Sequence, residues 1–385
     1  MAEAKIPCVI MRGGTSKAVF FKEEDLPEDR EVQEQILLAA FGSPDPRQID
    51  GLGGADPTTS KCAIVSLSQE PGIDVNYTFA QVAIDRPFVD WRGNCGNISS
   101  AVGLFAVEEG WVELREPSTR IRVLNTNTGK TLEFDVPVRE GSPEDKGDAS
   151  IAGVPGRAPP IRVGFLGAGG AVTGKLLPTG NPIEEMEVGG LGRVTLSVVD
   201  AANPLFFVRA EDVGWTGSES AREMDASQEV LAKLERIRGE VARRLGFVQD
   251  PARAREESPA VPKVAVVAPA ADFVEASGRT VSADDHDLRG RMLSMGRAHK
   301  AYALTGAICT AAAAYLEGTL VNRVVRESRK DLPQTLRIGH PAGVIEVEAE
   351  FKDGELLKAT VIRTARRLME GVVSVPSRAL SPASR

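Results

Sequence analysis

Short runs rich in Val, Ile, Phe and Thr recur along nearly the whole chain, each closed off by Gly, Pro, Asp or Asn. Such runs read as strands bounded by turns. They are Pro7–Met11, Ala18–Phe21, Cys62–Leu67, Val75–Ala83, Ile121–Asn125 and Thr131–Val138, then Ile161–Phe165, Arg193–Val199, Leu205–Arg209, Val264–Ala268, Gly343–Phe351 and Glu355–Arg363. Helical spacing is confined to Glu31–Phe41, Gly96–Glu109, Ser227–Leu245, Asp285–Met295 and Ala307–Leu316. Many strands separated by a few long helices predict an α+β protein, mostly β.

The order of these elements repeats weakly. Met11–Phe21 (MRGGTSKAVFF) and Asp200–Val208 (DAANPLFFV) both end in an aromatic-rich strand. Gly93–Gly103 (GNCGNISSAVG) and Leu304–Ala314 (LTGAICTAAAA) both open a helix of small residues. Two pairs in the same order suggest two related lobes, and 385 residues suffice for two domains of roughly 100–200 residues each. The lobes are expected at 1–185 and 186–385, joined near the tight turn Pro178–Pro182 (PTGNP). The segment after Pro376 reads as a frayed tail.

Charge and cysteine usage exclude several classes. The net charge is −8, from 46 basic and 54 acidic residues, whereas nucleic-acid binding favours a basic footprint. No run approaches the roughly 18 apolar residues of a membrane span, and the start MAEAKIP lacks signal-peptide architecture. The expectation is a cytoplasmic chain without nucleic-acid or membrane partners, with homo-oligomerisation left open. Cys8, Cys62, Cys95 and Cys309 fit no CxxC pattern, and reduced thiols are expected. Three histidines with no HxH or HExxH predict no metal site. His286, in the acidic run ADDHD, reads as solvated, and His340 as structural.

Four stretches carry chemistry suited to an anion. Cys95 falls at the start of a helix whose apolar face is Ile98, Val102, Phe105 and Ala106. Unsatisfied N–H groups and the positive end of the helix dipole stabilise a thiolate or a bound carboxylate there. The flanking glycines let a ligand approach the backbone, and Asn94 and Asn97 add donors. Gly51–Lys61 (GLGGADPTTSK) is not a P-loop, because Lys61 leads into a strand and not a helix. A partly desolvated lysine at a strand start can serve as a base. Met11–Lys17 (MRGGTSK) and Ser294–Lys300 (SMGRAHK) supply further hydroxyls and cations.

Four blocks, MRGGTSKAVFF, GSPDPRQIDGLGGADPTTSK, VDWRGNCGNISSAVG and SMGRAHKAYALTGA, together resemble the PrpF family. The resemblance runs from about residue 5 to about residue 376 and implies a diaminopimelate-epimerase-like fold. In that fold two similar lobes each wrap a β-barrel-like sheet around a central helix, with the active site in the cleft between them. The last strand, about 366–376, is expected to return to the first lobe.

The family includes 2-methylaconitate cis-trans isomerase, 3-methylitaconate Δ-isomerase and 4-oxalomesaconate isomerases. By resemblance, Lys61 and Cys95 are the acid/base pair. Thr15, Ser16, Asn94, Gly96 and Asn97 line the substrate site, and Arg297 and His299 form a second-lobe polar motif. The implied activity is cofactor-independent isomerisation of a small unsaturated di- or tricarboxylate, moving or inverting a C=C bond. The alternatives are an amino-acid epimerase on the same fold and a non-catalytic accessory protein of a dehydratase. The epimerases on this fold use two cysteines. Here the second helix start is Ala303-Leu304-Thr305-Gly306, and Cys309 reads as packing.

Overall fold

The first strand, β1 (Glu3–Gly13), turns back through Gly14 and Thr15 into β2 (Ser16–Lys22). Gly14 takes φ +50°, a left-handed conformation that glycine adopts without Cβ strain. From this hairpin the chain builds one of two compact units, Met1–Gly164 with Ile362–Arg385. The other is Phe165–Val361. The computed structural model describes residues 3–91, 94–352 and 354–380.

In the first unit, helix α1 (Arg30–Phe41) separates β2 from β3 (Lys61–Leu67). Asp29 caps α1 by accepting from the N–H groups of Glu31 and Val32. Strands β4 (Val75–Val82) and β5 (Val89–Asp90) lead to helix α2 (Gly96–Glu108). Strands β6 (Ser118–Asn125) and β7 (Lys130–Arg139) follow. β1/β2 is antiparallel, β2/β3 parallel, β3/β4 antiparallel, β4/β6 parallel and β6/β7 antiparallel. The final strand, Ala365–Pro376, pairs antiparallel with β1 along its length.

Strand alternation sends side chains to two faces, and each face is covered by a helix. Cys62, Ile64, Ala80 and Val82 pack with Ile36, Leu37 and Phe41 of α1. On the other face Phe20 stacks on Phe105 of α2, with ring centroids 5.5 Å apart. Every residue of α2 from Gly96 to Val107 is buried, as expected of a helix without a polar face.

The second unit repeats this ladder. Gly192–Ala201 pairs antiparallel with Asn203–Arg209, which runs parallel to Lys263–Pro269. Lys263–Pro269 is antiparallel to Leu288–Ser294, and that strand is parallel to Thr335–His340. Thr335–His340 is antiparallel to Gly343–Lys352. Helix Gln228–Arg244 occupies the place of α1 in this order, and Leu304–Tyr315 the place of α2. The weak echo in the sequence is therefore a repeat of topology.

Several expectations are corrected. The units divide at Gly164/Phe165 and not at 185, so Pro178–Pro182 lies inside the second unit. The segment expected as a helix at Asp285–Met295 is a 3-10 turn, Ala283–Asp285, followed by the strand Leu288–Ser294. Pairing on both sides, to Lys263–Pro269 and Thr335–His340, overrides the helical propensity of its Leu, Arg and Met residues. The central helix begins at Leu304, three residues before the expected Ala307. Helix Leu320–Ser328 was not foreseen, although Thr319 caps it by accepting from Asn322 N–H at 3.1 Å. After Pro376, Ser377–Leu380 form a 3-10 turn with Ala379 buried against α1, and 381–385 lie outside the described residues. Among the described residues no single helix is long and apolar enough to cross a membrane.

His286 is fully buried, not solvated. Its ring meets Phe273 edge-on at 5.3 Å, and Nδ1 donates to Ser282 O at 2.9 Å. Burial pushes its pKa below the ordinary histidine value. Burial would raise neighbouring Asp287, but hydrogen bonds from Arg337 and Arg329 outweigh it and hold the carboxyl below its usual range. Both folded-state values are depressed, so both groups contribute stability that is lost as pH falls. The loss begins below about 6.5, the unfolded histidine value, and deepens below about 4, where the unfolded aspartate protonates. Urea midpoints should fall between pH 7.5 and 5. In His286→Leu the fall over that interval should be smaller, by up to roughly 1.4 kcal/mol per pH unit. Equal slopes in the two proteins would show that His286 does not titrate on unfolding.

Candidate active site

Lys61 opens β3 and is only 9% exposed. Its register places it opposite Ala18 on β2 and Gln81 on β4. Ala63 and Phe79 follow on the same face, and Phe20, opposite Ala63, packs on α2. Lys61 therefore points to the α2 side of the sheet. Its Nζ donates to Gln81 Oε1 at 2.5 Å and sits 5.2 Å from the centre of the Phe79 ring. Among the described residues no carboxylate forms an ion pair with it.

The loop before Lys61 is held by Gln48, which is 1% exposed. Its Nε2 donates to Ser43 Oγ and Ser60 Oγ at 3.0 and 2.8 Å, and its Oε1 accepts from Ala55 N–H at 2.9 Å. Ser60 Oγ donates onward to Val82 O at 2.9 Å. Gly53 lies so close that an added Cβ would fall 2.2 Å from Gln48 Cδ. The glycine-rich loop is thus built around one buried amide, and it fixes where Lys61 begins.

Cys95 is the N-cap of α2, with extended φ −117° and ψ 97°. Its side chain makes no capping hydrogen bond, so the partly exposed thiol is not tied to the helix. The Ser99 N–H returns to Cys95 O at 2.8 Å. The N–H groups of Gly96, Asn97 and Ile98 have no acceptor among the described residues. Three open N–H groups at the positive end of a helix form a receptor for a carboxylate or an enolate oxygen. Asn94 Oδ1 accepts from Ser99 Oγ at 3.1 Å, bracing the approach to the helix. Gly93, the other flanking glycine, lies outside the described residues.

The β1–β2 hairpin touches this helix start directly. Asn97 Nδ2 donates to Thr15 Oγ1 at 3.0 Å. A Cβ on Gly13 would fall 2.4 Å from Asn97 O, so only a bare backbone fits. Ser16 is buried and alternates with Ala18, which puts it on the same face as Lys61. Lys61, Ser16, Thr15, Cys95, Gly96 and Asn97 therefore converge on the α2 side of one sheet.

Two contributors had no signal in the sequence. Gln81 and Tyr77 both lie on the Lys61 face of β4. Tyr77 is fully buried, with Ser99 of α2 beside its hydroxyl. Burial pushes the phenol well above its ordinary value, and the Cys95 thiol beside it adds to the rise. Neither residue sits in a Gly-rich or charged motif, and only strand register reveals them.

Arg297 and His299 belong to the second unit. Arg297 is exposed beside a cavity of about 610 Å³ that Arg238, Arg255 and Lys263 also border. His299 Nδ1 accepts from Ala301 N–H at 3.2 Å. Ala303 caps the second central helix, and Cys309 is buried with its thiol donating to Val199 O at 3.2 Å. No thiol in the second unit takes the helix-start position that Cys95 takes in the first.

Residues 3–376 match the PrpF protein family. The chain is 49% identical to a 3-methylitaconate isomerase of Eubacterium barkeri, covering 97% of this chain and 98% of that protein. It is 40% identical to a 2-methyl-aconitate isomerase of Shewanella oneidensis, again covering 97% and 98%. A crystal structure of a methylitaconate-delta-isomerase superposes with a TM-score of 0.86 at 47% identity, over 100% of this chain and 99% of that one. The fold is diaminopimelate-epimerase-like. The chain belongs to the PrpF family.

Proposed function

We propose that this PrpF-family chain is an isomerase that moves or inverts the C=C bond of a small unsaturated di- or tricarboxylate, with Lys61 and Cys95 as the acid/base pair. The observation that carries the reading is one face of one sheet. Among the described residues it presents a buried amine without a carboxylate partner and a helix whose start bears a thiol with no capping bond and three N–H groups without an acceptor.

A proton on the carbon next to the double bond is acidic only if the carbanion charge spreads onto a carboxylate. One member of the pair takes that proton, and its C–H electrons delocalise into a dienolate. In this reading the N–H groups of Gly96, Asn97 and Ile98 hold the developing oxyanion, often the largest catalytic contribution. Return of a proton to the far carbon moves the double bond. Return to the original carbon after rotation inverts it. The hydroxyls of Thr15 and Ser16 and the Asn94 and Asn97 amides supply further contacts for carboxylate oxygens. Arg297 and His299 are further candidates for substrate binding. The relatives named for 3-methylitaconate and 2-methyl-aconitate support this substrate chemistry. An amino-acid epimerase would need a second thiol, and Ala303 stands in that place.

Proton NMR in D₂O with 3-methylitaconate, 2-methylaconitate, cis- and trans-aconitate and 4-oxalomesaconate tests the reading. Double-bond migration or inversion with deuterium uptake is expected for at least one acid, and loss of both in Cys95→Ala. If no acid of the panel exchanges or isomerises, the isomerase reading fails. Tight binding to a dehydratase without turnover would then favour an accessory protein.

A further inference from the structure

Gln81 is the only residue that hydrogen-bonds the Lys61 amine among the described residues, and it lies 20 residues away in sequence. Its amide cannot turn. Nε2 donates to Ser60 O at 2.8 Å and to Pro57 O at 3.2 Å, so both N–H groups are spent on carbonyls. Rotating the amide by half a turn would set its oxygen against those carbonyls and its N–H groups against the ammonium. Oε1 is therefore committed to facing Lys61. The carbonyls it grips belong to the loop that ends at Lys61, and Gln48 holds the Ser60 side chain.

The other side of the amine is apolar, since the Phe79 ring lies under Nζ. Nζ is thus held between a carbonyl and a ring. The neutrality of Gln81 matters as much as its position. An amide oxygen accepts from an ammonium or from an amine. A carboxylate there would favour the charged form and resist loss of the proton. Among the described residues three titratable groups lie around this face: Asp90 on β5, opposite Gln81, Tyr77 on β4, and Cys95 at the start of the helix packed on it.

We propose that Gln81 is the positioning residue for Lys61: its pinned carbonyl aims the amine and, being neutral, leaves the proton transferable. The proposal rests on Lys61 taking part in proton transfer.

The test compares Gln81→Glu and Gln81→Met with the wild type and with Lys61→Ala. Turnover of 3-methylitaconate and 2-methylaconitate is followed from pH 6 to 10. Competitive acetylation with mass spectrometry reads Lys61 reactivity over the same range, and thermal unfolding checks folding. Gln81→Met should lower kcat by about 10–100-fold, as a misplaced reacting group does, with KM changing much less. Gln81→Glu should move the Lys61 labelling curve, and the rising limb of the rate, to higher pH by about 1–3 units. Unchanged Lys61 labelling in folded Gln81→Glu would overturn the proposal whether or not either acid is a substrate. So would a Gln81→Met loss confined to KM. Loss of rate in Lys61→Ala with normal rates in both Gln81 variants would remove the positioning role and leave the Lys61 reading standing. Full rate in Lys61→Ala would remove both.

Discussion

Lys61→Ala should lower turnover of an unsaturated acid by about 10²–10⁴-fold, the range typical of general acid–base help, and Cys95→Ala should do the same. Lys61 stands at a strand start and forms no ion pair with the described residues, and Cys95 contributes no capping bond to α2. Cys95→Ala should therefore unfold near the wild-type temperature, whereas Lys61→Ala, which leaves the Gln81 carbonyl without its partner, should lose about 1–3 kcal/mol, and thermal unfolding separates that loss from the loss of rate. The double variant should be little slower than the worse single one, because groups that act as a unit are non-additive. Deuterium uptake separates the roles further. The variant that loses the initial base should lose exchange and isomerisation together. A variant lacking only the group that reprotonates should keep some exchange at the original carbon. Near-normal turnover in either single variant would sink the pairing.

Gly13→Ala tests the site from its support. The new Cβ would meet Asn97 O at 2.4 Å and Ile98 Cα at 3.1 Å, both backbone atoms of the first turn of α2. Neither can swing aside as the end of a long side chain can. The hairpin and the helix start must separate, and the open N–H groups move with the helix. A shift of about 1 Å at a reacting group costs roughly 10²-fold in rate. Overpacking of this kind costs about 1–3 kcal/mol of stability. Gly189→Ala is the matched control, since its Cβ would meet nothing within 4 Å and its φ is ordinary. It should leave rate and stability unchanged. Calorimetry and steady-state kinetics on the two variants make the comparison. Wild-type rates in Gly13→Ala would mean that the hairpin does not set the helix start.

Much of the site was legible because its signals are local. A thiol between Gly-Asn pairs, followed by a 3.6-residue apolar pattern, marks a helix start wherever it occurs. Lys61 ends a glycine-rich loop and begins a strand, and both facts lie within eleven residues, Gly51–Lys61. The repeat of hairpin, strand and small-residue helix was likewise visible as element order, although its sequence echo is faint. Topology is set by hydrophobic alternation and turn position, which survive when individual residues change.

The strand Leu288–Ser294 shows where local signals stop. Its Leu, Arg and Met residues favour a helix, and it is a strand because edges on both sides take up its backbone groups. His286 lies in an acidic run and is buried because that pairing carries it inward. Gln81 and Tyr77 complete the surroundings of Lys61 and Cys95, yet neither belongs to a motif. The sequence by itself determined much of the strand pattern and the helix start at Gly96, since each rests on neighbours within about one turn or one strand, and by resemblance it offered Lys61 and Cys95 as candidates for proton transfer. Tertiary structure alone decided which amide holds the amine, which phenol is buried on the same face and which segment joins the sheet. Those depend on cross-strand register, where a slip of one residue sends every side chain to the other face.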